Sequence, residues 1–205
     1  MRKRILDKSQ ELFFRYGVKA VTMDDIAREL GISKKTIYQH FEDKDAIVLA
    51  GVADHFDEER CQSEALQAQA PDPIAEVVMA SEQMRQMLTG MNPTMIFDLK
   101  RYYPQAWTLF TEFKNGFILE TIRVNLKKGI ELGLYRKDLN VEVLARLRNE
   151  QVELGFDPQI YPPQKFNMLD VQMALLDHFL RGVVTDEGLK LYENYLENQL
   201  SMTVS

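Results

Sequence analysis

The chain has 205 residues, 45% of them apolar, and a formal net charge of −6; this is apolar material enough for a fair-sized core, or for a small domain joined to a larger one, and it excludes a disordered chain. Cys61, the lone cysteine, cannot form an intrachain disulfide, and the N-terminus Met1-Arg2-Lys3-Arg4-Ile5-Leu6-Asp7-Lys8 turns polar before a signal-peptide apolar region is complete. No apolar run reaches the roughly 18 residues of a membrane span, since even 166–184 is broken by Asn167, Asp170, Gln172, Asp177, His178 and Arg181, so a cytoplasmic protein without a membrane partner is expected.

Helical periodicity runs from end to end, with no sustained alternating pattern and no Asn-Gly or Asp-Gly hairpin turn, which predicts an all-α fold. A first helix over 1–17 puts Ile5, Leu6, Leu12, Phe13 and Tyr16 on one face and stops at Gly17. Thr22-Met23-Asp24-Asp25 resembles a capping box; the short helix it opens buries Ile26, Ala27 and Leu30 and ends at Gly31. Ser33 is placed to cap the next helix, whose inward stripe is Ile37 and Phe41. A fourth helix runs from about Asp43 to Leu66, where 67–73 breaks the pattern. Helices follow at about 74–90, 93–102 and 104–132, with Pro73, Pro93 and Pro104 near their starts, where proline is tolerated. Asn140 can cap a helix to Leu154, the three prolines of 157–164 mark a loop, and helices at about 166–184 and 186–201 complete the chain.

Residues 24–41 have the parts of a helix-turn-helix. Ala27 lets the two short helices approach, Gly31 suits a left-handed turn, and Ile26, Leu30, Ile32 and Ile37 fill the space between them. In the second helix two lysines occupy the first turn, where the positive end of the helix dipole disfavours them, and a local cost of that kind points to a function. With Ile37 and Phe41 inside, Lys34, Lys35, Thr36, Tyr38, Gln39 and His40 are left as one outward patch of cations, hydrogen-bonding groups and an aromatic hydroxyl, suited to phosphates and base edges in a major groove. Lys44, at the start of the fourth helix, adds a cation where backbone N–H groups already favour an anion. Charge is distributed to match: residues 1–50 carry ten basic and eight acidic side chains, so the remainder of the chain holds the negative excess.

Thr22-Met23-Asp24-Asp25-Ile26-Ala27, then Gly31-Ile32-Ser33-Lys34-Lys35-Thr36-Ile37-Tyr38-Gln39-His40-Phe41 and Lys44, together with Leu12-Phe13 and Gly17, resemble the N-terminal signature of the TetR family over about 45 residues. The resemblance implies a helix-turn-helix DNA-binding domain at 1–48 and an effector-binding and dimerisation domain at 49–205, in a homodimeric repressor of double-stranded palindromic operator DNA. It assigns Thr36, Tyr38 and Lys44 to phosphates or adjacent bases, gives Lys34, Lys35, Gln39 and His40 a part in sequence preference, and adds Thr22 to the set. Lys35 stands where many members carry glycine, which leaves the motif intact but gives no ground for carrying over a relative's operator.

For the remainder, 166–184 is apolar on two faces, and one stripe, Met173, Leu176, Leu180 and Val183, is the candidate dimer interface. The stretch 84–117 is rich in Met and aromatic residues, which suit a cavity for a small, largely apolar effector; Phe97, Trp107, Phe110 and Phe113 are the candidates to line it. A protein partner in place of the small molecule is the alternative. No metal, cofactor or enzymatic activity is expected: His40, His55 and His178 are far apart, and no phosphate loop, dinucleotide glycine motif or nucleophile elbow occurs.

Overall fold

A computed structural model describes residues 1–203, with side chains described as far as Asn198. Among these residues the secondary structure is helical apart from one isolated antiparallel bridge, Tyr135 to Val184. The helices are α1 (Arg2–Tyr16), α2 (Met23–Leu30), α3 (Lys34–Tyr38), α4 (Lys44–Gln69), α5 (Pro73–Leu88), α6 (Met95–Tyr102), α7 (Pro104–Phe113), α8 (Leu119–Glu131), α9 (Val141–Leu154), α10 (Met168–Val183) and α11 (Asp186–Thr203). The single helix expected over 104–132 is interrupted by a π-turn at Lys114–Ile118.

The chain forms two compact units. The first comprises Met1–Glu59 and Thr89–Phe113, the second Arg60–Leu88 and the chain from Lys114 onward. The core of the first unit joins Ile5, Leu12 and Phe13 of α1 to Ile26 and Leu30 of α2, Ile37 of α3 and Ile47 of α4, and it includes Leu99, Tyr103 and Ala106 from α6, α7 and the residue between them. Thus 89–113 folds with the N-terminal helices. Two hydrogen bonds fasten that segment: the Asn92 N–H donates to the Phe14 carbonyl at 2.7 Å, and the Lys19 N–H donates to Asp98 Oδ2 at 3.0 Å.

The core of the second unit is built on Ile74, Leu126, Tyr135, Ala145, Leu180 and Val183, all essentially inaccessible to water. Inside it the Tyr135 hydroxyl lies 3.0 Å from Asn125 Oδ1, and Asn125 Nδ2 donates to the Pro73 carbonyl at 2.9 Å. These bonds satisfy polar groups that burial would otherwise make costly.

Candidate nucleic-acid interface

The helix-turn-helix is set by three local devices. Thr22 and Asp25 form a reciprocal capping box, in which the Asp25 N–H donates to Thr22 Oγ1 at 3.2 Å and the Thr22 N–H to Asp25 Oδ2 at 2.9 Å. Gly31, at φ 64° and ψ 34°, takes the left-handed turn that a side chain rarely adopts. Ser33 Oγ then accepts the Thr36 N–H at 3.1 Å and fixes the entry of α3. Arg4 of α1 donates to the Leu30 carbonyl at 3.1 Å, holding the end of α2 against the first helix.

With Ile37 fully buried as the inward anchor, α3 and the turn after it leave Lys34, Lys35, Tyr38, Gln39 and His40 exposed, with Thr36 half-buried. Tyr38, 51% exposed, presents its ring and hydroxyl to solvent. Regular α-helix ends at Tyr38, short of the Phe41 expected; Gln39 and His40 lie in a turn closed by the Phe41 N–H on the Ile37 carbonyl at 3.0 Å. The patch read from the sequence is therefore presented together on one short element.

Several of its members already have work inside the chain. Lys34 Nζ lies 2.9 Å from Asp24 Oδ2, and this hydrogen bond and charge hold the ammonium pKa above its ordinary value. The Thr36 hydroxyl pairs with Ser33 Oγ at 2.9 Å, and the Thr22 hydroxyl is used by the capping box, donating to Asp25 at 2.6 Å. Lys44 is half-buried, its Nζ 5.8 Å from the Phe13 ring centroid and 5.7 Å from that of Tyr103; burial lowers its pKa, against the pull of Asp45, Asp98 and Asp25. Sequence reasoning passed over Arg2, whose guanidinium stands 4.7 Å over the Phe41 ring beside the end of this patch. Its only signal was membership of the basic run Arg2-Lys3-Arg4.

Residues 5–50 match the family model described as bacterial regulatory proteins, tetR family. The match covers the helix-turn-helix segment of the chain. Along almost its full length the chain is similar to the HTH-type transcriptional regulator YvaF of Bacillus subtilis, with 26% identity over 91% of this chain and 97% of that one. Among solved structures it shares its fold with a transcriptional regulator from Saccharomonospora viridis in complex with choline, at a TM-score of 0.71 and 20% identity, covering 90% of this chain and 97% of that one. A second is the regulator FadR of Bacillus subtilis in complex with stearoyl-CoA, at 0.68 and 16%, covering 89% and 99%.

The remaining candidates fall in two places. Trp107, Phe110 and Phe113 of α7 lie in the first unit, packed in series with Phe56 of α4: Trp107 and Phe110 have centroids 4.7 Å apart, and Phe56 and Phe113 stack at 4.4 Å and 5°. Phe110 and Phe113 are buried, whereas Phe97 is half-buried with Arg101 5.9 Å over its ring. On α10, Leu176, Leu180 and Val183 lie in the core of their own unit and Met173 is half-buried. The side of α10 that faces solvent carries Ala174, His178 and Gly182 instead, and α9 exposes Val143, Leu147 and Leu154 at four- and seven-residue spacing. A stripe buried at home is not available to a second subunit, which corrects the choice of face on α10.

Proposed function

We propose that the protein is a cytoplasmic repressor that binds a palindromic operator as a homodimer and leaves it when a small molecule binds. The observation that carries this reading is the exposed set Lys34, Lys35, Tyr38, Gln39 and His40 on a short helix and the turn after it, whose entry and inward anchor are fixed by Ser33 and Ile37. Phosphate contacts from Lys34, Lys35, Thr36, Tyr38 and Lys44 give position and affinity, and Gln39 and His40 reach base edges. Thr22 takes part through the geometry it imposes on α2.

We assign the regulatory and dimerising role to 49–205 and the DNA-binding role to 1–48. The dimer forms through the outward faces of α9 and α10, where Val143 and Leu147 stand exposed beside small residues. For the effector, the support is that two fold relatives hold small molecules, choline in one and stearoyl-CoA in the other. In this chain a largely apolar effector acts at Phe97, Trp107, Phe110 and Phe113, because these residues belong to the same compact unit as the helix-turn-helix, and a change in their stacking is felt there directly.

Selection of bound duplexes from a random pool, followed by gel-shift titration, tests the reading. A two-fold symmetric site with half-sites about 34–36 Å apart, or a multiple of one turn, is expected. Recovery of no common sequence, or binding indifferent to salt, defeats it.

A further inference from the structure

The second unit holds a cation that its own chain does not neutralise. Arg148, on α9, is only 5% exposed, and its Nη1 has no hydrogen-bond partner. No carboxylate among the described residues pairs with it; burial alone acts on the guanidinium and pulls its pKa down to about 10. The acidic residues nearest in sequence, Glu150 and Glu153, are both engaged by Lys114, the first residue of the π-turn, at 3.1 and 2.7 Å.

Three buried oxygens on the same two helices, α9 and α10, lack donors as well: Asn149 Oδ1, Gln151 Oε1 and Gln172 Oε1. Gln151 and Val152 stand three and four residues after Arg148, and Gly155 stands four and three after them, which places these residues along one side of α9. Gln172 of α10 is fixed against that side by its Nε2, which donates to the Val152 carbonyl at 2.9 Å. Gly155 gives this amide its room, since a Cβ there would stand 2.4 Å from Gln172 Nε2. Asn149 is fixed by donating to Asn115 Oδ1 of the π-turn at 3.2 Å, and π-turns are frequent at functional sites.

Water could serve the three oxygens, but it leaves the guanidinium uncompensated, and an unpaired buried charge is among the costliest features a fold can carry. An anion removes that cost. Chloride brings no donors for the amide oxygens, whereas a carboxylate with a neighbouring hydroxyl or ammonium answers the cation and the acceptors together. We propose that Arg148, Asn149, Gln151 and Gln172 form a binding site for a small organic carboxylate bearing hydroxyl or ammonium donors beside the carboxyl group. The carboxylate accepts from the Arg148 fork, and the donors meet the side-chain oxygens of the three amides.

Thermal unfolding of the full-length protein at fixed ionic strength tests the site with three probes: L-lactate, which carries carboxylate and hydroxyl; propionate, which lacks the hydroxyl; and 1,2-propanediol, which lacks the carboxylate. Lactate at millimolar concentration is expected to raise the midpoint by several degrees, propionate by less, and propanediol not at all. Arg148→Met, which removes the buried charge, should unfold no lower than the wild type and lose the lactate response, and Gln172→Leu should reduce the lactate shift to that of propionate. A lactate shift that survives Arg148→Met overturns the proposal, as do equal wild-type midpoints in lactate and propanediol or in lactate and propionate. Should Arg148→Met not fold, the wild-type comparisons decide alone. Operator affinity plays no part in these readouts, so their outcome stands apart from the repressor reading.

Discussion

Asp98 accepts the backbone N–H of Lys19 across 79 residues of chain, and the same carboxylate lies 3.4 Å from the Thr94 hydroxyl. The bond is largely shielded from solvent, Asp98 being 6% exposed, and it ties α6 to the loop that leads into α2. Asp98→Ala leaves the N–H without an acceptor, a loss of about 1–3 kcal/mol of stability. Asp98→Asn, which keeps an acceptor, is expected to lose less. Chemical denaturation of the two variants checks the order, and gel shifts should show operator affinity falling with the Ala variant.

Asp24 holds the Lys34 ammonium that the proposed interface assigns to a phosphate. Asp24→Asn removes a negative charge from the binding face and releases the ammonium, so operator affinity is expected to rise, most at low salt. Lys34→Ala and Lys35→Ala should each flatten the dependence of log affinity on log salt by about one unit if each contacts a phosphate. Titrations at several salt concentrations give the slopes; unaltered slopes in both variants would remove these lysines from the interface.

The solvent faces of α9 and α10 predict a separation between assembly and folding. Leu147→Glu places a charge at a position that is 49% exposed in the free chain, so it should yield a folded monomer. Leu180→Ala, at a fully buried position, should cost about 2–5 kcal/mol in stability. Sedimentation and unfolding measured side by side distinguish the two, and a Leu147→Glu variant that remains dimeric would rule out this face of α9.

Glu76 makes the chain's stability depend on pH in a definite direction. It is 7% exposed, and burial pushes its carboxyl pKa above the ordinary 4.5, partly opposed by Asn125, Lys128 and Gln67. A group whose pKa is raised by folding holds its proton more tightly in the native state, so its contribution is fully favourable below 4.5 and is lost as pH rises through the raised value. Glu76→Gln should therefore raise the thermal midpoint at pH 7, with the gain shrinking as pH falls and vanishing below about 4.5. A variant that is less stable than the wild type at pH 7 would show that the carboxylate is needed in its charged form.

Local signals were the legible ones. Thr22-Met23-Asp24-Asp25, Gly31 and Ser33 carry their geometry in a few neighbouring side chains, so the helix-turn-helix could be read directly, and the Ile37 and Phe41 pair fixed which side of α3 faces outward. The attachment of 89–113 to the N-terminal helices was not legible, because the bonds that make it, Asn92 to Phe14 and Lys19 to Asp98, join distant residues and leave no periodic trace. On α10 the stripe Leu176, Leu180, Val183 and the second stripe with Val171 and Phe179 are alike in composition. Both proved to be interior, and hydrophobicity alone cannot say which apolar face stays at home. Arg148 escaped notice for a related reason: a charged residue in an amphipathic helix reads as surface until packing encloses it.

The π-turn at Lys114–Ile118 also acts as an insertion in helical phase. Each residue of an α-helix advances the side-chain direction by about 100°, and a π-turn takes up one more residue than a regular turn, so the stripe of α7 that ends at Phe113 and the stripe of α8 that begins at Leu119 do not share one reading frame. A one-residue deletion at Gly116, where no neighbour lies within 4 Å of a would-be side chain, would mend the helix and restore that frame. Because the π-turn already absorbs the extra residue, Leu119 and Leu126 would keep the side they now present to their core. Homologues that lack the π-turn should therefore have one residue fewer between the apolar stripe of α7 and that of α8.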